Sequence, residues 1–243
     1  MSYFIFNGVS SDELGLMVTK PVIRPTWAVI EKDFTIGGKS QKFHRKTDTY
    51  DDQTMTIETF LYNTDIKNLH KIYKSIQGDG TLWLSSAPDE YLNVTAYPPD
   101  PQAVAYMSGV FLLKFRVKPF AYSTNPTEID ITGRSDYVKI DNNGTVFSEP
   151  EISFISQANQ KIIITVNDKN FIVNHPEACT FDSTIYIDCA EQVCYFHRPE
   201  DNTTYPCMHF TENDLPLFHI GENYIMYTGD VRNFKINVKE RFL

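Results

Sequence analysis

Cysteine and histidine crowd one short stretch of this chain: Cys189, Cys194 and His197, followed by Cys207 and His209. Thiolate and imidazole are zinc-holding ligand types, and i, i+2 spacing sets Cys207 and His209 on one face if that stretch is a strand. Against zinc, the set lacks the C-x2-C knuckles that hold two thiolates close together. Buried free cysteine, with Cys179 as the fourth, is the expected arrangement, and no metal is assigned.

Other chemistry is thinner. There is no Gly-x-Ser-x-Gly elbow and no Cys-Gly nucleophile pattern. His70 belongs to a polar helix face, while His175 and His219 stand beside apolar or proline residues, as satisfied structural histidines do. Carboxylate pairs at Asp12-Glu13, Asp51-Asp52, Asp89-Glu90 and Glu200-Asp201 read as solvated charge in turns or polar loops. Catalytic pairs need surroundings that split their pKa values. Gly37-Gly38 and Gly78-Asp79-Gly80 match no phosphate-binding loop. No catalytic or cofactor-binding residue is assigned, no cofactor is expected, and the chain is expected not to be an enzyme.

The elements that would position any site are strands. Phe, Tyr, Ile, Val and Thr usage favours β-structure, and 42% hydrophobic residues over 243 positions can fill two cores. Residues 53–62 alternate, with Met55, Ile57 and Leu61 on one face. Residues 108–118 alternate more strongly: Phe111, Leu113, Phe115 and Val117 oppose Lys114, Arg116 and Lys118. Thr64–Gln77 is the single convincing helix, with Ile66, Leu69, Ile72, Tyr73 and Ile76 on its apolar face and Gly78 beyond its end. Residues 88–106 read as proline-punctuated loop around a strand at 91–97. Pro119 through Pro126 interrupts the pattern and sets a boundary between residues 1–124 and 125–243.

The second half reads as nearly pure β. Strands are expected at 127–132, 137–141, 145–147, 151–155, 161–166, 170–173, 184–188, 193–197, 223–227 and 231–239, with turns at Asn142-Asn143-Gly144 and Asn167-Asp168-Lys169. Many short strands with regular turn signals indicate a sandwich.

Charge narrows function. A net charge of −9 argues against sequence-independent nucleic-acid binding, which needs basic surface to displace counterions. Lys42, His44, Arg45 and Lys46 make the one local basic group, read as a solvated face. No apolar run approaches the ~18 residues of a membrane span, so no membrane insertion is expected. The first residues lack the basic and apolar regions of a secretory signal.

Ordered segments carry a resemblance. Phe6-Asn7-Gly8 with Leu14-Gly15-Leu16 and a proline-spaced Arg24 opens the chain, and Asn142-Asn143-Gly144-Thr145 through Pro150-Glu151-Ile152 follows in the second half. Thr165-Val166-Asn167, Ile185-Tyr186-Ile187-Asp188 and Leu215 through Ile225 complete the series. The set resembles the distal tail protein (Dit) family of long-tailed bacteriophages in its compact form.

The resemblance implies a mainly β chain. Residues 1–124 would form a ring-forming, tail-tube-like split β-barrel with one α-helix, and 125–243 a galectin-like β-sandwich. It further implies a structural virion protein, a homohexameric ring (hub) at the distal end of the phage tail, assembled in the host bacterial cytoplasm. Its partners would be the tail tube protein, a tail-tip or tail-associated lysin-type hub protein, the tape-measure protein, and receptor-binding or baseplate proteins. DNA would be met only in transit during ejection, and acidity suits such a conduit. The alternative is a carbohydrate-binding adsorption module of a phage tail. Direct sugar binding is not expected, because Trp27 and Trp83 both lie in the first half and the galectin His-Asn-Arg and Trp-Glu-Arg pattern is missing. An intersubunit contact is expected in segment 32–50, folded as a hairpin arm at Gly37-Gly38. There Phe34, Phe43 and Tyr50 would supply apolar contact and Arg45 would pair with a neighbour's carboxylate.

Overall fold

The computed structural model describes residues 2–35, 42–61, 66–98, 110–156, 161–176, 179–180 and 182–243, with backbone alone at 34, 35, 42–46, 48, 66 and 111. The chain is mainly β, with one α-helix among the described residues. Spatial proximity divides it into Met1–Thr124 with Leu243, and Asn125–Phe242.

The first unit runs β1 (Phe4–Phe6), β2 (Val9–Ser10), β3 (Leu16–Val18), β4 (Val29–Thr35), β5 (Lys42–Tyr50), β6 (Gln53–Leu61), α1 (Ile66–Ser75), β7 (Gly78–Leu84), β8 (Ala87–Ala96) and β9 (Val110–Ser123). Seven strands of this unit lie in one antiparallel, curled half-barrel sheet in the order β2-β1-β7-β8-β9-β6-β3. Strands β4 and β5 pair with each other as a separate two-stranded sheet.

Asn7 and Gly8 both take positive φ, the backbone that a two-residue turn between twisted strands demands. Asn7 Oδ1 then accepts the Thr81 N–H at 2.9 Å. A Cβ on Gly80 would overlap the Asn7 side chain, so the glycine leaves the room in which that side chain sits. Alternation on β6 and β9 buries Met55, Ile57, Leu61, Leu113, Phe115 and Val117, as the period-2 pattern requires. Phe115 meets the Phe4 and Phe6 rings at 6.2 and 5.9 Å. Helix α1 buries Ile72 and leaves Lys67, His70, Lys71 and Lys74 exposed. Asn68 and Lys71 donate to the carbonyls of Leu14 and Glu13, which fixes the helix against the short turn Asp12–Leu14.

Two proline expectations change. Pro119 does not end its strand: β9 continues to Ser123, and Lys118–Phe120 bulges, with Phe120 at φ 73°. Register advances from Leu92↔Ala121 to Val94↔Val117, so the bulge absorbs the residue that lacks an N–H. Likewise β8 begins at Ala87, not near Tyr91, and takes Pro88 and Asp89-Glu90 into the strand through a register shift opposite Trp83-Leu84. The Trp83 indole N–H donates to the Pro88 carbonyl at 2.8 Å. The turn expected at Gly37-Gly38 and the helix start expected at 63–64 lie outside the described residues.

The second unit runs β10 (Thr127–Asp130), β11 (Val138–Asn142), β12 (Glu151–Ser156), β13 (Ile162–Val166), β14 (Lys169–Val173), β15 (Thr184–Asp188), β16 (Val193–Arg198), β17 (Thr203–Pro206), β18 (Thr211–Glu212), β19 (Gly221–Thr228), β20 (Val231–Val238) and the short β21 (Arg241–Phe242). A six-stranded sheet, β10-β20-β12-β15-β16-β17, and a five-stranded sheet, β11-β19-β13-β14-β18, share one core. Each buries alternate residues, which is a sandwich. Phe234 stacks between Phe154 (5.3 Å) and Tyr227 (4.5 Å), with ring planes 7° apart in both pairs, and so ties one sheet to the other. The Tyr227 hydroxyl accepts the Gly133 N–H at 2.8 Å. The strand expected at 145–147 is absent, because Thr145 and Ser148 bond instead to Arg241 and Phe218.

Candidate functional site

The cysteines converge, but not as a metal site. Tyr195 pairs with Pro206 across β16 and β17, which brings Cys194 and Cys207 opposite one another. The Cys207 N–H donates to the Cys194 carbonyl at 2.8 Å, and the two sulfurs lie 3.0 Å apart. Cys194 and His197 stand three residues apart on one strand and therefore face opposite sides. Cys194 is buried and His197 is only half-buried. His209 sits not on a strand face with Cys207 but in a short 3₁₀ turn, Met208–Phe210, with its ring against Phe210 at 4.1 Å. Among the described residues no group of three or more His, Cys, Asp or Glu side chains is placed to hold a metal. All four cysteines are free and buried. Burial pushes the Cys189 thiol far up, and the hydrogen bond to Cys207, then burial, do the same for Cys194. Such thiols remain protonated and are poor nucleophiles.

The other candidate groups stay apart. His70 is exposed on α1, and the His219 side chain is exposed while its backbone is tied to Asn223. His175 departs from expectation: its Nδ1 is buried with no hydrogen-bond partner among the described residues, and burial holds its imidazole below the usual value. Asp12-Glu13, Asp51-Asp52 and Glu200-Asp201 lie in turns or short connections, whereas Asp89-Glu90 is part of β8. There Glu90 ion-pairs with Arg24, whose other arm donates to the Leu243 carbonyl at 2.6 Å.

Of the residues expected at an intersubunit contact, Phe34 and Phe43 stand directly opposite in the β4–β5 register and Arg45 stands opposite Lys32. Tyr50, at the base of the hairpin, packs edge-on against Phe120 of its own chain at 5.1 Å. Phe60 and Leu112 add exposed apolar surface on neighbouring strands β6 and β9.

Three of the segments that carry the sequence resemblance in the second unit meet in one place, around Asn142, Asn167 and Asn223. Asn142 is buried and its amide donates to the carbonyls of Val146 (3.0 Å) and His219 (3.3 Å). Asn223, also buried, accepts from the His219 N–H (2.8 Å) and Asn167 Nδ2 (2.7 Å) and donates to the His219 and Gly221 carbonyls. A Cβ on Gly144 would lie 2.5 Å from the Arg241 carbonyl oxygen, so Gly144 lets that strand approach. The Arg241 guanidinium is buried on the Phe147 carbonyl and the Glu149 carboxylate. These residues satisfy irregular backbone inside a sandwich, which is a role in folding. Sequence reading gave Asn142 to a turn. A polar residue closing an alternating strand was the available signal for its burial.

No protein-family model and no curated protein matches the chain. Solved structures do. The Dit protein (gp 19.1) of SPP1, described as a paradigm of the hub adsorption apparatus in phages infecting Gram-positive hosts, superposes with a TM-score of 0.72 at 11% identity over 100% of both chains. A chain of the phage p2 baseplate in its activated conformation with Sr gives 0.61 at 8% identity, covering 99% of this chain and 98% of that one. The corresponding structure with Ca gives 0.58 at 7% identity over 98% and 97%. From end to end, this chain carries the fold of the Dit hub protein.

Proposed function

We propose that the chain is a structural protein of a phage virion, the distal tail hub that joins the tail tube to the tail-tip or baseplate apparatus for host adsorption. The observation that carries this reading is the full-length match to the SPP1 Dit fold, with both units included and neither chain left over. In this reading Met1–Thr124 closes a homohexameric ring and Asn125–Phe242 is a galectin-like sandwich that engages neighbouring tail proteins. The tape-measure protein and then DNA pass through the lumen, and a net charge of −9 keeps phosphates from being gripped in transit. Assembly takes place in the bacterial cytoplasm, the finished protein sits at the distal end of the tail, and no catalysis is performed.

The β4–β5 hairpin is the arm that reaches a neighbouring subunit, with Phe34 and Phe43 packed there, Arg45 paired to a carboxylate, and Tyr50 holding the base. A lone two-stranded hairpin is marginal in water and gains stability once a partner covers it. Ring closure satisfies every such arm, whereas incomplete closure would give filaments. End-on images of assembled tails should show six copies, and deletion of residues 38–46 should leave a folded second unit that no longer enters rings. A single copy per tail would end the ring reading, and full rings from the deletion variant would end the arm.

A further inference from the structure

Cys194 and Cys207 form the one thiol–thiol hydrogen bond among the described residues. They stand opposite each other where β17 ends, because the β16–β17 register carries Tyr195↔Pro206 one step further. Opposed residues of an antiparallel pair share a face, so both side chains enter the sandwich core. The backbone bond from the Cys207 N–H to the Cys194 carbonyl makes them hydrogen-bonded strand partners, a pairing with Cα atoms about 5.5 Å apart. That lies inside the roughly 4.4–6.8 Å span that disulfides bridge. The sulfurs are already 3.0 Å apart. Joining them needs only about 1 Å of travel.

The pair is buried yet reachable. Strand β17 is the outermost of its sheet, and three of its four residues are exposed. A surface cavity of about 340 Å³ has Cys194 in its lining, together with the exposed Val193 and Met208. Such a space admits a small oxidant when the edge strand frays. The two thiols are also unequal. Their hydrogen bond holds Cys207 below the ordinary thiol value against its burial, while the same bond raises Cys194. Cys207 is therefore the first to give a thiolate.

We propose that Cys194 and Cys207 are an oxidation site, a dithiol that a peroxide converts to an intrachain disulfide stapling edge strand β17 to β16. The Cys207 thiolate attacks one oxygen of hydrogen peroxide, the O–O bond breaks, and Cys207 becomes a sulfenic acid. The displaced hydroxide takes up the proton that Cys207 released. The Cys194 sulfur then attacks the Cys207 sulfur, the S–O bond breaks, and water leaves with the Cys194 proton. Two thiols and one peroxide thus give one disulfide and two waters, with the sulfurs losing two electrons and the peroxide oxygens accepting them. The cysteines are 13 residues apart, so the bond closes a short loop and restricts the unfolded chain. Cys179 and Cys189 are buried without a sulfur partner among the described residues and stay reduced. The site does not depend on the tail-hub reading.

The test exposes the reduced full chain to hydrogen peroxide, stops the reaction with catalase, alkylates remaining thiols in urea and maps the digest by mass spectrometry. Two of the four cysteines should escape alkylation, joined as a peptide linking Cys194 to Cys207 that dithiothreitol releases. In Cys194→Ala the crosslink should vanish, and dimedone should trap the Cys207 sulfenic acid. The oxidised wild type should unfold at a higher urea concentration by circular dichroism, a shift that dithiothreitol reverses and Cys194→Ala never shows. The map of the wild-type chain decides the site even if Cys194→Ala fails to fold. Four alkylated cysteines after peroxide, or a disulfide that joins any other pair or two separate chains, would overturn the proposal. A crosslinked chain with an unmoved midpoint would overturn the staple.

Discussion

The two units hide one face of a sheet by different means, and the difference locates cohesion and availability. In Asn125–Phe242 the cover is a second sheet, locked by the Phe154–Phe234–Tyr227 stack and by buried amides at Asn142 and Asn223. In Met1–Thr124 a ten-residue helix is tied to the Asp12–Leu14 turn, and the β4–β5 hairpin pairs only with itself among the described strands. Both units leave edge strands, but only the first holds a two-stranded sheet that joins no larger one among the described strands, while buried amides that satisfy irregular backbone lie in the second.

The harshest way to break this comparison is Phe234→Ala. Losing the middle ring of the stack should cost about 3–5 kcal/mol. Both tryptophans, Trp27 and Trp83, lie in the first unit, so fluorescence reports that unit while far-UV circular dichroism reports both. In urea the dichroism midpoint should fall and the fluorescence midpoint should stay. Coincident movement of both would mean that the units unfold as one.

Asn223→Ala is expected next in size. It strips partners from the His219 and Gly221 backbone inside the sandwich, at about 2–4 kcal/mol. The same pair of probes applies, and the effect should again be confined to dichroism. If the loss is under about 0.5 kcal/mol, the amide network is not a fold determinant.

Gly80→Ala tests the first unit. Its new Cβ overlaps the Asn7 side chain and must displace it, a cost of about 1–3 kcal/mol. Here the fluorescence midpoint should fall first. An unchanged midpoint would show that the Asn7 contact gives way freely.

The smallest effect is a pH dependence. Burial holds the folded His175 imidazole below its ordinary value of 6.5, so the unfolded chain takes up a proton that the folded chain resists. The stability due to neutral His175 is complete above pH 6.5 and declines as pH falls toward and through the lower folded value. His175→Phe should flatten the dichroism midpoint between pH 7.5 and 5.5, taken as about one unit either side of 6.5. An unaltered slope would remove His175 as the cause.

Legibility followed the period of the pattern. Strands β6, β12 and β15 and the apolar face of α1 were readable because one buried face writes its spacing directly into the chain. Pro119 and Pro88 were misread because a proline is tolerated wherever a bulge opens the ladder, and bulges leave no reliable local mark. Strand β17 and the turn at Met208–Phe210 were missed for a related reason: Thr203–Pro206 has almost no buried residues to reveal its face. The zinc spacing failed at Cys194 and His197, whose three-residue separation sends them to opposite faces once the stretch is extended.

By itself the sequence determined what is local: the alternations, the Asn7-Gly8 turn, the single amphipathic helix, the acidity that argues against holding nucleic acid, and the ordered motifs behind the family resemblance. Only the tertiary structure decided which distant residues meet. Asn142 reaches His219, Gly80 makes room for Asn7, and Cys207 lies against Cys194. The reason is physical. Local periodicity fixes which way a side chain points, but strand order and register fix what it faces, and those depend on packing between segments far apart in the chain.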